Sequence, residues 1–237
     1  MAPESLESDA RNEGHLADGV IETQGPDGRV LERAGISGGR LHGETLVFDA
    51  DGAPRQSFRF AQGLLDGPAA VNGDDGTVLA RLTFAAGVLD GPLTIYRGGQ
   101  PLAVMPYRAG ALHGEMHSYA PDGGIAAVVR FEDGRRHGQI TLYRPDASVL
   151  RTEQWVHGAM DGDTVDYDEA GTIRRRTSFR AGRKDGEAVE YDAHGRITAR
   201  TFYIADRPIP ATELPAATGM TPKPRANWLF RMFGVGR

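Results

Sequence analysis

Apolar and polar positions along the chain repeat with a period of about 24 residues, roughly eight times from residue 15 onward. A glycine preceded by Asp or His starts each period, and a bulky apolar residue lies near its end. The glycines are Gly19, Gly43, Gly67, Gly91, Gly114, Gly138, Gly162 and Gly186. The bulky residues are Ile36, Phe60, Phe84, Tyr107, Phe131, Trp155, Phe179 and Tyr203. Such periodicity predicts stacked units that bury a core only together.

Each unit predicts one β-hairpin. In residues 39–63, a β-prone run over residues 44–48 meets an Asp-Gly turn at residues 49–52, and a second run follows over residues 53–60. Asp-Gly supplies the positive φ that hairpin turns need. The glycine after His or Asp indicates a second turn, between successive hairpins. We therefore expect an all-β fold, an elongated, curled, antiparallel array of about eight hairpins over residues 15–206.

The repeated apolar positions predict where the core lies. Because side chains alternate between the faces of a strand, equivalent positions should stack in rows on one face. A second, mainly aromatic row is Phe48, Asn72, Tyr96, Tyr119, Tyr143, Tyr167 and Tyr191. The fourth unit has Gly98-Gly99 in place of Asp-Gly and contains Pro101 and Pro106. Proline removes a donor from the ladder, so we expect a kink or bulge there.

Three shorter segments flank the array. Residues 1–14 form an acidic segment that we expect to be flexible, without the apolar run of a secretory signal. Residues 207–226 contain five prolines and predict an extended linker, and residues 227–237 are apolar and basic. The chain has no cysteine, which excludes disulfides and thiolate metal sites. No apolar stretch reaches about 18 residues, so we expect a cytoplasmic protein.

Charge is distributed unevenly along the chain. The net charge is −5, yet residues 207–237 carry five basic residues and one acidic residue, so the remainder holds −9. An acidic array disfavours nucleic acid, because neutralising phosphates requires a basic surface. The expected partner is another protein, and basic surfaces would suit the acidic array best. A small-molecule ligand is not expected.

The pattern of glycines and aromatics resembles a known repeat family. The order G-x-L-H-G-E, Y/F, D-G and F-x-x-G is similar to MORN-type repeats, specifically the 24-residue bacterial repeats of the YwqK family. The match is best preserved in residues 39–63 and 110–134 and spans residues 15–206. The resemblance implies a scaffold for protein or lipid contacts, and for YwqK-like proteins an immunity or antitoxin role. It implies no catalytic residue and no cofactor.

Histidine and acidic columns are the candidate ligand sites. His42, His113 and His137 share the position before the glycine, where a metal or proton-transfer row could form. Since Asp occupies this position in other units, we favour a structural role in which these side chains cap turn amides. The acidic turns at residues 49–52 and 72–76 resemble calcium-loop fragments, but the twelfth place of the first is Phe60 instead of the required Glu. Hairpin turns are therefore the better interpretation, and no metal, cofactor or enzymatic activity is expected.

Arginines become more frequent in the C-terminal half. We favour a solvated sheet face on which they pair with Asp and Glu. The alternative is a ligand-facing basic patch at Arg174, Arg175 and Arg176.

The C-terminal segment is the strongest functional candidate outside the repeats. Its apolar cluster consists of Trp228, Leu229, Phe230, Arg231, Met232 and Phe233. So many apolar side chains favour contact with another apolar surface. The segment could cap the last hairpin, dock in a groove of a partner or lie on a membrane. We expect a non-enzymatic protein-binding scaffold or adaptor, with a peripheral membrane or lipid-binding module as the alternative.

Overall fold

The computed structural model describes residues 18–210, and within that range every regular element is a β-strand. The strands form one 22-stranded sheet. The strands of its first half are β1 (Gly19–Gln24), β2 (Val30–Ser37), β3 (Arg40–Phe48), β4 (Pro54–Ala61), β5 (Leu64–Leu65), β6 (Gly67–Asn72), β7 (Val78–Ala85), β8 (Val88–Leu89), β9 (Gly91–Arg97), β10 (Gln100–Arg108) and β11 (Ala111–Leu112). The strands of its second half are β12 (Gly114–Tyr119), β13 (Ile125–Glu132), β14 (Arg135–Arg136), β15 (Gly138–Tyr143), β16 (Val149–Val156), β17 (Ala159–Met160), β18 (Gly162–Tyr167), β19 (Ile173–Arg180), β20 (Arg183–Tyr191), β21 (Ile197–Ile204) and β22 (Arg207–Ile209).

The sheet follows the order of the chain. Every pairing is antiparallel and joins neighbours in sequence, from β1 with β2 to β21 with β22. A two-residue strand such as β5 runs directly into the next strand, and both segments pair with the strand before them. The topology is therefore an open meander of hairpins. The predicted all-β, antiparallel hairpin array is confirmed.

The turn inside each hairpin lies where Asp-Gly predicts it. The Asp49 amide donates to the Ala53 carbonyl at 3.0 Å, and the Gly52 amide donates to the Asp49 carbonyl at 3.1 Å. Gly52 has a φ of 81°, which glycine adopts without strain. One strand residue beyond the turn has no partner opposite it, since the register shifts between Val47 and Phe48. That bulge strengthens the local twist of the hairpin.

The turn between hairpins is not where the sequence predicted it. Gln62 and Gly63, with φ of 52° and 83°, form a two-residue turn of type I′ between the paired residues Ala61 and Leu64. Gly67, which was expected to form this turn, lies four residues later inside the strand pair, with a φ of 109°. The glycine after Asp or His therefore marks a bulge in a strand, and that part of the prediction was wrong.

The turns between hairpins are bonded to the unit before them. The Gly63 amide donates to the Leu41 carbonyl at 2.8 Å, and the Gly87 amide donates to the Leu65 carbonyl at 2.7 Å. The same bond recurs at Gly110, Gly134, Gly158, Gly182 and Asp206. Successive units are thus joined by backbone hydrogen bonds outside the ladders between strands.

The register divides the side chains between two faces. Thr45 lies opposite Phe58, and their neighbours Glu44 and Arg59 lie opposite each other on the reverse side. We call the face of Thr45 and Phe58 the core face and the face of Glu44 and Arg59 the trough face. Five of the seven buried apolar side chains of the described strands project from the core face, namely Ala34, Ile36, Ala69, Ala103 and Ile140. The other two, Val189 and Ile209, project from the trough face.

The two aromatic rows lie on opposite faces. Phe60 and its equivalents project from the core face, because Phe60 follows Phe58 by two residues. Phe48 projects from the trough face, where the guanidinium of Arg33 lies 5.9 Å from its ring centroid. Both phenylalanines are only half-buried, because one sheet layer leaves each face open among the described residues. The prediction that the rows share one buried face was wrong.

The fourth unit contains the expected bulge, but the bulge is not special to it. Gly98 and Gly99 form a two-residue turn, and the register of β9 and β10 shifts between Pro101 and Ala103. Comparable shifts occur in the other hairpins, for example between Ser118 and Tyr119. The prolines are therefore accommodated at an irregularity that every hairpin already has.

The described strands extend past the predicted end of the array. Strand β22 begins at Arg207, the first residue assigned to the linker, and its Ile209 is 8% exposed. Residues 18–210 contain no helix with the length and hydropathy needed to span a membrane.

Candidate functional site

The predicted docking segment lies outside the residues that the structure describes. This applies to Trp228, Leu229, Phe230, Arg231, Met232 and Phe233, to residues 211–226 of the linker and to residues 1–14. The candidate sites within residues 18–210 all lie in the array.

Arg174, Arg175 and Arg176 do not form one continuous cationic surface. Arg174 is the unpaired bulge residue of β19, and with Arg175 it lines an open cleft of about 530 Å³ that also contains Asp166, Glu190 and Asp192. Arg176 lines a separate cleft. Arg175 pairs with Glu190 at 2.7 Å, and Arg176 pairs with Glu187 at 3.3 Å. Cross-strand ion pairs, the favoured interpretation, thus account for two of the three arginines. Similar pairs are Arg33–Glu22, Arg130–Glu115 and Arg151–Asp166.

The acidic turns bind their own backbone. Asp75 Oδ1 accepts hydrogen bonds from the Thr77 hydroxyl at 2.6 Å and the Thr77 amide at 3.0 Å, which hold the pKa of Asp75 below its ordinary value. The Arg196 and His194 amides, each donating at 2.8 Å, lower the pKa of Asp192 in the same way. These carboxylates are engaged in Asx turns, so the hairpin-turn interpretation is confirmed.

In six of the eight units the residue before the bulge glycine caps the turn that follows the next strand. Asp66 Oδ2 accepts a hydrogen bond from the Ala86 amide at 3.2 Å, and Asp161 Oδ2 accepts one from the Ala181 amide at 3.2 Å. The predicted capping role is thus confirmed where Asp occupies this column, except in the last unit. At the last turn the direction reverses, since the Lys184 amide donates to Asp206 Oδ1 at 2.8 Å.

Histidine replaces Asp in this column in two consecutive units. His113 Nδ1 lies 3.5 Å from the Asp133 amide, and His137 Nδ1 lies 3.5 Å from the His157 amide. These distances are at the long limit for a hydrogen bond, so the histidines cap the turns more weakly than Asp does. Within residues 18–210, His42 makes no corresponding bond.

The first histidine belongs to a triad of charged and polar groups. Arg108 Nη2 lies 2.9 Å from His113 Nδ1 and 3.4 Å from Asp133 Oδ1. His113 Nδ1 also lies 3.3 Å from Asp133 Oδ1. The three atoms therefore form a triangle in which the guanidinium contacts both the ring and the carboxylate.

The second histidine belongs to an equivalent triad of different composition. Glu132 Oε2 lies 3.4 Å from His137 Nδ1, and the ring centroids of His137 and His157 are 4.9 Å apart. One potential ligand atom from each of these residues lies within 4.8 Å of the other two. The unit thus brings together a carboxylate and two imidazoles.

Sequence reasoning did not single out Glu132 and His157. The signal that could have revealed His157 is the offset of 20 residues between cap and turn amide, which also relates Asp66 to Ala86. That offset can be recognised in the sequence only if the turn between hairpins is assigned to the residues equivalent to Gln62 and Gly63.

Three open clefts lie on the trough face along the band of bulge glycines. The first, of about 700 Å³, is lined by Glu44, Arg59, Arg81 and Pro92 among others. The second, of about 590 Å³, includes His113, Gly114, Arg130, His137 and Gln154. The third, of about 740 Å³, includes Gly162, Asp163, Arg176, Glu187 and Arg200. We call the band that these clefts form the glycine trough.

Bulge glycines leave room for the side chains of the glycine trough. A Cβ at Gly67 would lie 3.0 Å from Arg59 Cδ, and a Cβ at Gly162 would lie 2.8 Å from Gln154 Cβ. A side chain of the opposite strand therefore packs directly against the backbone of the bulge glycine. Pro106 makes the same contact at Gly114, at 3.3 Å, between the first and second clefts.

Comparisons with known proteins do not assign a family. No family model matches the chain, and no curated protein matches it. Among solved structures, a mutant of S. aureus TarM in complex with fondaparinux, alpha-GlcNAc-glycerol and UDP is 11% identical, with a TM-score of 0.30. That match covers 40% of this chain and 19% of the TarM chain. A similarity of this size supports no conclusion about fold or function.

Proposed function

We propose that the protein is a non-enzymatic repeat scaffold that binds a segment of another protein along the glycine trough. The observation that carries this proposal is the recurrence of similar open clefts on one face of a single repeat sheet. Repeat arrays bind through extended surfaces to which several units contribute. Small-molecule sites, by contrast, enclose most of their ligand.

The first cleft offers cations that are not neutralised within the array. Arg59 has no ion pair with any residue of the range 18–210, and Arg81 contacts the Tyr96 ring at 5.8 Å. In the third cleft, Arg176 and Arg200 both pair with Glu187. An acidic side chain of a partner would therefore bind at the first cleft.

The repeat pattern suggests a more specific role. We infer from it that the chain is a MORN-type protein of the YwqK kind, acting in the cytoplasm as an immunity factor or adaptor. The C-terminal segment with Trp228 and Phe230 would supply a second contact with the same partner. Its apolar and basic residues suit a groove on another protein.

Affinity purification with variants tests the proposal. The variant Arg59→Glu with Arg81→Glu should lose most of the protein that the full chain captures. The matched control, Arg97→Glu with Arg196→Glu, makes the same charge change at the exposed ends of the hairpins and should retain it. Equal capture by both variants would show that the trough does not bind the partner.

Two further measurements separate the alternatives. A chain ending at Ala226 should retain part of the capture if the trough and the tail both contribute, and should lose all of it if only the tail binds. Saturable, salt-sensitive pelleting with anionic liposomes that requires Trp228 would instead support the membrane-binding alternative.

A further inference from the structure

Glu132 and His137, which line the second cleft, lie beside His157, and the three side chains form a cluster of potential metal ligands that has no counterpart elsewhere in residues 18–210. Glu132 ends β13, His137 precedes the bulge glycine of β15, and His157 is the first residue of the turn after β16. Across the described part of the chain, this is the group of three such residues whose ligand atoms converge within 4.8 Å. The three side chains come from three successive strand segments, so a bound ion would connect them.

The neighbouring unit shows what makes this cluster different. Arg108 and Asp133 occupy, 24 residues earlier, the positions of Glu132 and His157. In that unit the guanidinium of Arg108 approaches His113 Nδ1 to 2.9 Å and repels any metal cation. In the second triad a carboxylate takes the place of the guanidinium, and a second imidazole takes the place of the carboxylate. The first triad pairs its own cation with its own anion, whereas the second consists only of side chains that can bind a metal ion.

The spacing of the ligands suits a tetrahedral ion. Zinc binds imidazole nitrogen and carboxylate oxygen at about 2.0–2.2 Å, which places neighbouring ligand atoms roughly 3.3–3.5 Å apart. Glu132 Oε2 and His137 Nδ1 are 3.4 Å apart. The side chain of His157 is exposed, so its ring can rotate to complete the set. The weak bond from the His157 amide to His137 Nδ1, at 3.5 Å, offers little resistance to metal binding.

We propose that Glu132, His137 and His157 bind a divalent transition metal, with Zn²⁺ as the best match to one carboxylate and two imidazoles. Glu132 and His137 line the second cleft, so the ion lies at the edge of that cleft. The ion links the end of β13 to the turn after β16 and so joins two adjacent repeat units. This site is independent of whether a protein binds along the glycine trough.

Isothermal titration of the full, EDTA-treated chain with zinc chloride tests the site. We expect one zinc ion per chain at the site. His157→Ala and Glu132→Ala should each weaken that binding at least tenfold, because even removing a residue that only supports a metal ligand costs about 10–100-fold. Both variants should fold, since alanine already occupies these positions at Ala181 and Ala85 in other units.

The matched control is His113→Ala in the neighbouring triad, which should bind zinc as the unmodified chain does. Cobalt(II) added in place of zinc should give the visible absorption of a tetrahedral site in the unmodified chain and in His113→Ala, but not in His157→Ala. Absence of zinc binding, equal binding by His157→Ala, or equal loss in His113→Ala would each overturn the proposal. Circular dichroism of every variant confirms that the sheet is intact.

Discussion

Glycine is needed at two kinds of position in this array, and the physical reasons differ. Gly171 closes a hairpin turn with a φ of 79°, and an added Cβ would meet nothing within 4 Å. Gly162 lies at a strand bulge with a φ of 120°, outside the left-handed region that other residues occasionally adopt. There an added Cβ would also lie 2.8 Å from Gln154 Cβ. Only the bulge glycine is required by both backbone conformation and space.

We therefore predict that Gly162→Ala destabilises the protein more than Gly171→Ala. Backbone strain alone costs about 1–3 kcal/mol at the bulge, and the contact with Gln154 adds to it. The turn variant should lose about 1–2 kcal/mol. Thermal melts followed by circular dichroism compare the two. Equal midpoints would mean that the bulge relaxes around a side chain.

At the residue scale, the sequence predicted the roles that depend on local chemistry. Asp49 and Asp192 bind the amides of their own turns, which an Asp three residues before the turn glycine makes foreseeable. The triad of Glu132, His137 and His157 was not foreseeable in this way, because it joins residues up to 25 positions apart through a turn that the sequence misplaced. A type I′ turn that begins with Gln62 or Ala86 carries a weaker signal than Asn-Gly or Asp-Gly.

At the scale of the element, seven of the eight hairpins place an aromatic of the Phe60 row on the core face, the first having Ile36 instead, and Trp155 combines two polar contacts in this row. Its indole Nε1 donates to Glu153 Oε2 at 2.9 Å, and the guanidinium of Arg136 lies 4.9 Å from its ring. Glu153 is 9% exposed, so this indole bond satisfies a buried carboxylate. The half-buried ring therefore contributes through a polar contact as well as through packing.

We predict that Trp155→Ala costs about 2–4 kcal/mol, from lost packing and from an unsatisfied buried carboxylate. Trp155→Phe places in this unit the residue that Phe60 and Phe131 provide in others, and it should cost about 1 kcal/mol for the lost hydrogen bond. Val156→Ala, at an exposed position on the opposite face, should change stability by less than about 0.5 kcal/mol. Chemical denaturation of the three variants measures these differences. Similar losses for Trp155→Ala and Val156→Ala would contradict the assignment of faces.

At the scale of the whole molecule, periodicity alone predicted the class, the topology and the unit length. The face of each row was harder to predict, because the register shift inside every hairpin, such as that between Leu142 and Tyr143, carries the Tyr143 row to the trough face. A one-residue shift exchanges the faces, so a single undetected bulge misplaces a whole row. The half-buried state of the rows was also not predictable, because no sequence pattern distinguishes one layer from two.

Deleting whole and half units tests the 24-residue repeat. Removing residues 134–157 joins Asp133 to Gly158, which recreates a two-residue connecting turn, and the shorter array should fold. Removing residues 146–157 takes out β16 and leaves its neighbours running in the wrong direction, so this chain should unfold or aggregate. Circular dichroism and gel filtration compare the products. Indistinguishable behaviour would show that the repeat is not the folding unit.

The reversed cap at the last turn has a consequence for how such an array changes in length. Interior units follow one bonding scheme. The side chain before the bulge glycine accepts a hydrogen bond from an amide of the next turn along the chain, as Asp161 does from Ala181. A duplication in that interior adds a complete set of bonds. At the C-terminal end, Asp206 already bonds to Lys184 within the last pair of strands. The turn at this end of the described array is thus held by its own side chain, whereas an interior turn such as that of Ala181 is capped by the preceding unit, and a duplicated interior unit keeps that cap.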